Sequence, residues 1–294
     1  MPSLLPPPRV ALRRERWDTP DGDFIDVDFC GDPGARDQLV LFHGLEGCSE
    51  SHYARALAAH ALRTGWRLAI PHFRGCSGEP NRRPRAYHSG DTEEVDWILA
   101  RFSAAVSAVG VSLGGNALLK WLGERGESAR ARIRRAAAVS APIDLAAAGG
   151  ALDRGLNRLL YTRHFLATLK PKALAKLELF PGLYDRGRLR AARSFREFDN
   201  LVTAPLHGFR DTDDYWSRAS SGPHLAAIRV PTLLLNARND PFLPEHALLA
   251  AARGAAPCVV LEFPPTGGHA GFLAGPFPGR HSWLPQRLFE FLTQ

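Results

Sequence analysis

The sequence is poor in lysine. Its 37 basic residues include only four lysines, so arginine supplies almost all of the positive charge, and the formal net charge is +7. Proteins that bind nucleic acid concentrate such charge in arginine-rich runs or in basic stripes interleaved with aromatic residues. The chain has neither pattern. We therefore expect no nucleic-acid partner, and the excess of arginine over lysine is typical of a GC-rich genome.

Cysteine is also scarce. The four cysteines, Cys30, Cys48, Cys76 and Cys258, form no C-x-x-C pair, and their spacing matches no zinc module. The sequence has no H-E-x-x-H motif and no cluster of histidines and acids with the spacing of metal ligands. These absences predict free thiols in a reducing compartment and a chemistry that uses no metal and no cofactor.

Long apolar runs are absent as well. The N-terminal stretch MPSLLPPPRVALRRERW has too short an apolar run and too many prolines for a signal peptide or a membrane anchor. No other run reaches the length that spans a bilayer. We therefore expect a cytoplasmic protein without stable membrane insertion, and the sequence leaves its oligomeric state open.

The chain does contain a regular alternation of strand-like and helix-like segments. The predicted strands are FIDVDF (24–29), QLVLFH (38–43), WRLAI (66–70), AAVSAVGVS (104–112), RAAAVS (135–140), VPTLLLNA (230–237) and CVVLEF (258–263). The predicted helices cover 51–63, 92–102, 115–126 and 283–292, and a capping box of Asp91 and Glu94 opens the second. This alternation predicts one α/β domain over residues 1–294, with a mostly parallel sheet covered by helices on both faces.

One segment with a purely helical pattern interrupts the alternation, and we interpret it as a cap inserted at approximately 145–201. Residues 151–200 carry 11 basic and 5 acidic side chains, a net charge of +6. Such charge would attract anionic esters or favour peripheral contact with a lipid surface, although a solvated arginine-rich face is the simpler interpretation. Apolar residues at helical spacing are expected to pack on the core or to line an acyl-chain pocket: Leu156, Leu159, Leu160, Phe165, Leu166 and Leu169.

The stretch AVGVSLGGN contains a G-x-S-x-G motif around Ser112. A strand-like run precedes the serine and a helix-like run follows it, which is the context of a nucleophile elbow. Gly110 and Gly114 occupy the two positions where a Cβ would collide in such a tight turn. The turn would hold the Ser112 hydroxyl at a helix N-terminus, where amide donors favour developing negative charge. We therefore predict that Ser112 is a nucleophile.

A serine nucleophile requires a base and an orienting carboxylate, which follow it along the chain in the order acid, then histidine. Asp240 follows the strand in TLLLNARNDPFLP, and His269 follows the next strand in VVLEFPPTGGHAGF. Both would lie at the carboxyl edge of the sheet, where open α/β sheets build their sites. Asp144, which also follows a strand, is the rival acid. We predict Asp240 because its strand directly precedes the histidine loop.

Two backbone amides should stabilise the oxyanion. One belongs to Leu113, the residue after the nucleophile, and the other is expected from the HGLEG loop, where Leu45 is the candidate. The neighbouring His43 and Gly44 are candidate pocket residues, with a structural role as the alternative for His43. His88 in AYHSGD would either approach the pocket or help to cap a helix.

At this point the sequence resembles a known family. The segments HGLEG, FRGCSGEPN, YHSGDTEEVDWIL, GVSLGGN, FREFDNLVTAPLHGF, DYW, NARNDPFLP and GGHAGF are similar to those of family 4 of the α/β hydrolases, the YheT-like hydrolases. The resemblance covers nearly the whole chain from about Trp17. It implies an α/β-hydrolase fold, a triad of Ser112, Asp240 and His269, and carboxylic esters with short, medium or lipid-like acyl groups as substrates.

The chain departs from the family at two points. Many eukaryotic relatives carry an N-terminal membrane anchor, whereas we expect none in this chain, and this difference weakens a membrane-lipid interpretation. Cys48 in HGLEGCS stands where a serine is expected, and we interpret it as a small packed thiol rather than a second nucleophile.

Three functional hypotheses follow from the sequence. The first is a serine esterase that hydrolyses a small-molecule ester through an acyl-enzyme. The second is an acyltransferase that uses the same triad and passes the acyl group to an alcohol. The third is a non-catalytic binding scaffold, against which an intact triad argues.

Overall fold

The computed structural model describes residues 7–276 and 279–294. Its strands are β1 (Arg13–Asp18), β2 (Phe24–Cys30), β3 (Gln38–Phe42), β4 (Arg67–Pro71), β5 (Val106–Val111), β6 (Ile133–Val139), β7 (Thr232–Leu235) and β8 (Val259–Glu262). They form one sheet in the order β1-β2-β4-β3-β5-β6-β7-β8. The pairs from β4 through β8 are parallel, whereas β1 and β2 are antiparallel to their neighbours. The predicted mostly parallel sheet is confirmed.

The edge strand β1 was not predicted from the sequence. Its residues RRERWD are mostly charged and partly exposed, so they lack the apolar alternation that indicates a strand. The strand is held by ion pairs across to β2, where Arg14 lies opposite Asp28 and Arg16 opposite Asp26. Charged residues on an edge strand also discourage pairing with other chains.

Twelve α-helical segments accompany the sheet in the described part of the chain. They are α1 (His52–Arg63), α2 (Thr92–Leu99), α3 (Leu113–Arg125), α4 (Leu145–Leu152), α5 (Gly155–Asn157), α6 (Arg163–Leu179), α7 (Arg186–Ala191), α8 (Phe195–Phe198), α9 (Ala204–Leu206), α10 (Thr212–Ala219), α11 (Glu245–Ala252) and α12 (Trp283–Leu292). The Asp91 carboxylate accepts a hydrogen bond from the Glu94 amide at the start of α2, as the capping box predicts.

The core lies on both faces of the sheet. Helices α2, α3 and α11 pack their buried faces on one side, and α1 and α12 pack theirs on the other. The central strands β5 and β7 are buried along their whole length, which is typical of parallel strands covered by helices on both faces. This arrangement leaves the carboxyl edge of the sheet as the place where loops can assemble a site.

The inserted cap lies between β6 and β7 and is entirely helical. It begins at Leu145, as predicted, and continues through α10 and a 3₁₀ turn to Ala227 rather than stopping near 201. The extra part includes DTDDYWSRA over 211–219, which has a helix-start signal of its own: the Asp211 side chain caps α10 by accepting a hydrogen bond from the Asp214 amide. The cap has its own apolar clusters, one of which includes Leu166.

The expected burial of the cap leucines is wrong for three of them. Leu156, Leu159 and Leu160 are exposed, whereas Leu166 is buried. The three exposed residues lie on α5 and on the π-helical turn Arg158–Thr162. In the described residues, no helix is long and apolar enough to cross a membrane.

Candidate active site

Ser112 occupies a strained turn between β5 and α3. Its backbone has φ 53° and ψ −120°, a conformation that non-glycine residues adopt rarely and mostly at functional sites. Two backbone hydrogen bonds hold the turn, from the Ser112 amide to the Val139 carbonyl at 2.8 Å and from the Gly114 amide to the His43 carbonyl at 3.1 Å. The turn therefore has the geometry of a nucleophile elbow.

The two motif glycines are required by close backbone contacts. A Cβ on Gly110 would lie 2.4 Å from the Gly114 carbonyl oxygen, and one on Gly114 would lie 2.4 Å from the Phe42 carbonyl oxygen. Both contacts are with backbone atoms, which cannot turn aside as a flexible side chain would. The structure therefore confirms the prediction that a Cβ at either position would collide in the turn.

The structure brings Ser112, His269 and Asp240 into one hydrogen-bonded row. The Ser112 hydroxyl lies 2.9 Å from His269 Nε2, and His269 Nδ1 lies 2.9 Å from Asp240 Oδ2 and 3.1 Å from Oδ1. The Asp240 side chain is 1% exposed and that of His269 is 17% exposed. A buried carboxylate on Nδ1 favours the tautomer in which Nε2 is free to accept the serine proton.

Neighbouring groups fix the acid and the base. The Phe242 amide donates to Asp240 Oδ1 at 2.9 Å, and the Phe242 ring is stacked on His269 with centroids 3.8 Å apart. The loop that carries His269 is anchored by the Ala270 amide, which donates to the Ser140 hydroxyl at 3.0 Å. Sequence reasoning missed Phe242 and Ser140, because nothing in their local pattern shows that they meet the histidine.

The rival acid Asp144 has a different role. Its side chain accepts a hydrogen bond from the Ala147 amide at 2.9 Å and caps the N-terminus of α4. This is an ordinary helix-capping contact. The carboxylate that contacts His269 is that of Asp240.

The HGLEG loop leaves the Leu45 amide free. The Gly44 amide donates to the Tyr53 hydroxyl and the Glu46 amide to the Tyr87 hydroxyl, each at 2.9 Å. Among residues 7–276 and 279–294, no group accepts a hydrogen bond from the Leu45 amide. Glu46 has a left-handed backbone with φ 56°, which turns the chain at this point. An unused amide between two engaged ones is what an oxyanion donor requires.

The Leu113 amide occupies the first position of α3. Amides in the first helical turn have no acceptor within the helix, so this amide is also available. Leu45, Leu113 and Ser112 line the same cavity. Both predicted oxyanion donors therefore belong to residues that line the same cavity as Ser112.

His43 and Gly44 support this loop from behind and do not line the cavity. The Phe73 amide donates to His43 Nε2 at 3.0 Å, which leaves Nδ1 to donate to the Gly44 carbonyl at 2.8 Å. Burial lowers the pKa of His43 to about 3, so the ring stays neutral. A Cβ on Gly44 would lie 3.1 Å from the Ser112 Cβ. Both residues are structural parts of the elbow rather than pocket walls, because complete burial separates His43 from the cavity.

His88 does line the cavity. Its ring lies 4.4 Å from that of His207 between centroids, and burial lowers its pKa to about 4. A neutral ring at this position contributes to the wall as an aromatic surface.

The cavity under the cap has a volume of about 600 Å³ and is lined mainly by apolar side chains. The cap supplies much of its wall through Leu152, Phe165, Leu169, Phe195, Phe198 and Val202. Of the cap residues predicted to line a pocket, Phe165 and Leu169 do so. The volume and the lining fit an apolar ligand of drug-like size with its reactive group at Ser112.

An ion pair attaches the cap to the HGLEG loop (residues 43–47), which is called the oxyanion loop below. Lys172 Nζ on α6 lies 2.9 Å from Glu46 Oε1, and the Tyr87 hydroxyl donates to the same oxygen at 2.8 Å. One helical turn later, Lys176 Nζ donates to the Asn81 side chain at 2.6 Å. Helix α6 of the cap is thus bound to Glu46, the residue after Leu45, and one turn later to Asn81.

The described residues include no group of three or more His, Cys, Asp or Glu side chains that could hold a metal ion. The four cysteines are free. Cys48 is half-buried, and its amide donates to the Ser51 hydroxyl.

Comparison with known proteins identifies relatives over nearly the whole chain. A family model described as the α/β hydrolase fold matches residues 37–276. The chain is 39% identical to Escherichia coli YheT, described as a candidate esterase, over 95% of this chain and 84% of that protein. It is 31% identical to human phospholipase ABHD3 over 100% of this chain and 74% of that one.

More distant relatives agree on the fold. The monoacylglycerol lipase of Saccharomyces cerevisiae is 29% identical over 95% of this chain and 63% of its own length. The solved structure of the Pyrococcus furiosus esterase Pf2001 superposes with a TM-score of 0.61 at 18% identity, and covers 98% of this chain and 96% of that one.

Proposed function

The chain belongs to the α/β-hydrolase family, in its YheT-like branch, and is an esterase- or lipase-like hydrolase; from this membership we propose that it cleaves carboxylic esters through an acyl-enzyme on Ser112. The observation that carries the proposal is the hydrogen-bonded row of Ser112, His269 and Asp240. A serine, a histidine and a buried carboxylate in this order are the groups that acyl transfer through a serine requires.

In the acylation step, the Ser112 oxygen attacks the ester carbonyl while His269 Nε2 takes the hydroxyl proton. The Asp240 carboxylate keeps the imidazole in the productive tautomer and stabilises the imidazolium that forms. The carbonyl oxygen becomes negatively charged, and the amides of Leu45 and Leu113 donate to it. The imidazolium then protonates the leaving alcohol, and the acyl group remains on the serine. Water, deprotonated by the same histidine, releases the acid.

Labelling with a fluorophosphonate probe tests the nucleophile. The probe should label the wild-type protein, and Ser112→Ala should abolish labelling and ester hydrolysis. Ser128→Ala, which removes a serine hydroxyl bonded to the Arg125 carbonyl on the surface, should label fully. Labelling of Ser112→Ala at the wild-type level would contradict the mechanism.

The apolar cavity supports esters with medium-length acyl chains, including lipid-like esters, as the substrate class. Leu169 and Phe165 lie in its wall on the cap, so a larger side chain there would shorten the space above Ser112. The names of two relatives, a phospholipase and a monoacylglycerol lipase, are consistent with such acyl groups. Leu169→Trp should lower kcat/KM for long acyl chains and spare acetyl esters in a p-nitrophenyl ester series. Equal loss for every chain length would contradict this assignment.

The same acyl-enzyme supports acyl transfer as a second candidate function. The observation that favours it is the apolar lining of the cavity around Ser112, which lowers the local availability of water and so favours an organic alcohol as acceptor. Product analysis in the presence of a competing alcohol distinguishes the two reactions. If the ratio of new ester to acid rises only in proportion to the bulk concentration of the alcohol, with no preference for alcohol over water, the result would favour hydrolysis.

A further inference from the structure

One segment of the cap exposes apolar side chains to solvent. Leu156, Leu159 and Leu160 are 73%, 63% and 57% exposed. Single exposed leucines are ordinary on protein surfaces, but three within five residues form a contiguous apolar patch. Their i, i+3, i+4 spacing places them on one face of the helical chain. This spacing is that of a buried helix face, although nothing in the described residues covers it.

Three arginines flank these leucines. Arg154, Arg158 and Arg163 are exposed, and none of them forms an ion pair with another residue of the described chain, although the cap has such pairs elsewhere, for example Arg186 with Glu178. The three leucines and three arginines are called the leucine patch below. An exposed helical segment that combines leucine with unpaired arginine has the chemistry of an interfacial anchor: the apolar side chains enter the acyl region while the cations remain at the lipid phosphates.

The leucine patch lies beside the triad. Between the patch residues, Asn157 donates to the Pro241 carbonyl at 2.8 Å, and the Tyr161 ring packs against Phe242 with centroids 4.9 Å apart. Phe242 is the residue that stacks on His269. The segment therefore connects the protein surface to the loop that carries Asp240 and, through the Phe242 ring, to His269.

From these observations we propose that the leucine patch docks on the surface of an anionic lipid bilayer and presents the rim of the active site to it. The proposal rests on the proposed function and extends it, because it states that the ester substrate lies in a lipid bilayer. The leucines supply apolar contact, and the unpaired arginines supply attraction to anionic headgroups. The described residues contain no membrane-spanning helix, so this contact is peripheral and reversible.

Vesicle binding tests the proposal without any catalytic turnover. The full chain is mixed with vesicles of phosphatidylcholine containing about 30% phosphatidylglycerol, and the bound fraction is measured by co-flotation. The variant Leu156→Ser/Leu159→Ser/Leu160→Ser should lose affinity by about 1,000-fold, because burial of each of the three leucines contributes roughly tenfold. The variant Arg154→Gln/Arg158→Gln/Arg163→Gln should lose binding to the anionic vesicles and with it the salt dependence of that binding.

A matched control changes the same residue types elsewhere. Leu249 is 40% exposed on α11 and Arg253 is exposed just after it, so Leu249→Ser/Arg253→Gln should bind vesicles like the wild type. All variants should hydrolyse a water-soluble acetyl ester at the wild-type rate, because no residue of the leucine patch lines the cavity. On an ester presented within anionic vesicles, only the patch variants should lose activity.

The outcomes separate this proposal from the proposed function. Wild-type vesicle affinity in the triple-leucine variant would overturn the docking proposal, as would a wild-type dimer that the same variant disrupts without any vesicle binding. Absence of ester hydrolysis by the wild type would overturn the proposed function and leave the vesicle result to stand on its own.

Discussion

Replacing Asp240 with asparagine should disable the base while leaving the site in place. Asp240 Oδ1 accepts the Phe242 amide at 2.9 Å, and Oδ2 lies 2.9 Å from His269 Nδ1. In Asp240→Asn, the Phe242 amide selects the side-chain oxygen for the Oδ1 position. The amide nitrogen then faces His269 Nδ1 and donates to it. The proton of the imidazole consequently moves to Nε2, the atom that must accept the Ser112 proton.

The size of this effect follows from the loss of one protonation state. A histidine held in the wrong tautomer by the same exchange in a serine protease lowers kcat about 10⁴-fold, which corresponds to about 5 kcal/mol of barrier. We expect a loss of that order in kcat for a short p-nitrophenyl ester, with KM changed by less than about threefold because the cavity walls are untouched. Initial rates of p-nitrophenol release, measured over a range of ester concentrations up to saturation, give both constants.

Asp144→Asn is the matched control. Asp144 also follows a strand, but its carboxylate caps α4, and asparagine caps a helix about as well as aspartate does. This variant should keep the wild-type kcat. The reasoning would be refuted if Asp240→Asn retained more than a tenth of the wild-type kcat, or if Asp144→Asn lost as much as Asp240→Asn.

Further predictions concern the elbow, the oxyanion loop and the cap. Gly114→Ala should lower both kcat and the urea midpoint of unfolding, because its Cβ would meet two backbone carbonyl oxygens within 2.5 Å; wild-type values of both would contradict the elbow geometry. Tyr53→Phe and Tyr87→Phe should each lower kcat about tenfold with little change in KM, because each removes the acceptor of an amide next to the free donor; a change in KM alone would argue against a positioning role. Burial raises the pKa of Asp199 to about 6, above its value in the unfolded chain, so the free energy of unfolding should fall by at most about 3 kcal/mol as pH rises from 4 through 6. Asp199→Asn should flatten that part of the stability profile, and an unchanged profile would show that the carboxyl is already ionised.

The sequence was sufficient for the central parts of this molecule. Ser112, Asp240 and His269 follow three parallel strands, and parallel strands bring their carboxyl ends to one edge, so chain order alone predicts that they meet. Tyr53 and Tyr87 could not be found in this way. They come from a helix and a long loop, and only the tertiary fold places their hydroxyls on either side of Leu45.

Three features of the fold were missed or misjudged from the sequence: the exposure of the cap leucines, the end of the cap and the edge strand β1. A 3.6-residue apolar repeat is the same whether the helix faces a protein core or another apolar phase, so the exposure of Leu156 could not be read from spacing. The boundary of the cap shifted to Ala227 because short helices with good caps, such as α10, have too few residues to show a period. The edge strand β1 is stabilised by cross-strand ion pairs with β2, which leave no apolar alternation in the sequence.

The ion pair between Lys172 and Glu46 matters for anyone who wishes to exchange the cap. A cap grafted from another hydrolase would change the walls that recognise the acyl group, and it would also remove the partner of a carboxylate next to Leu45. Among the residues that the structure describes, the Glu46 carboxylate would then keep only its hydrogen bond from the Tyr87 hydroxyl. A chimaera designed for a new substrate range should therefore keep a lysine at position 172, so that specificity can be redesigned without disturbing the turnover machinery.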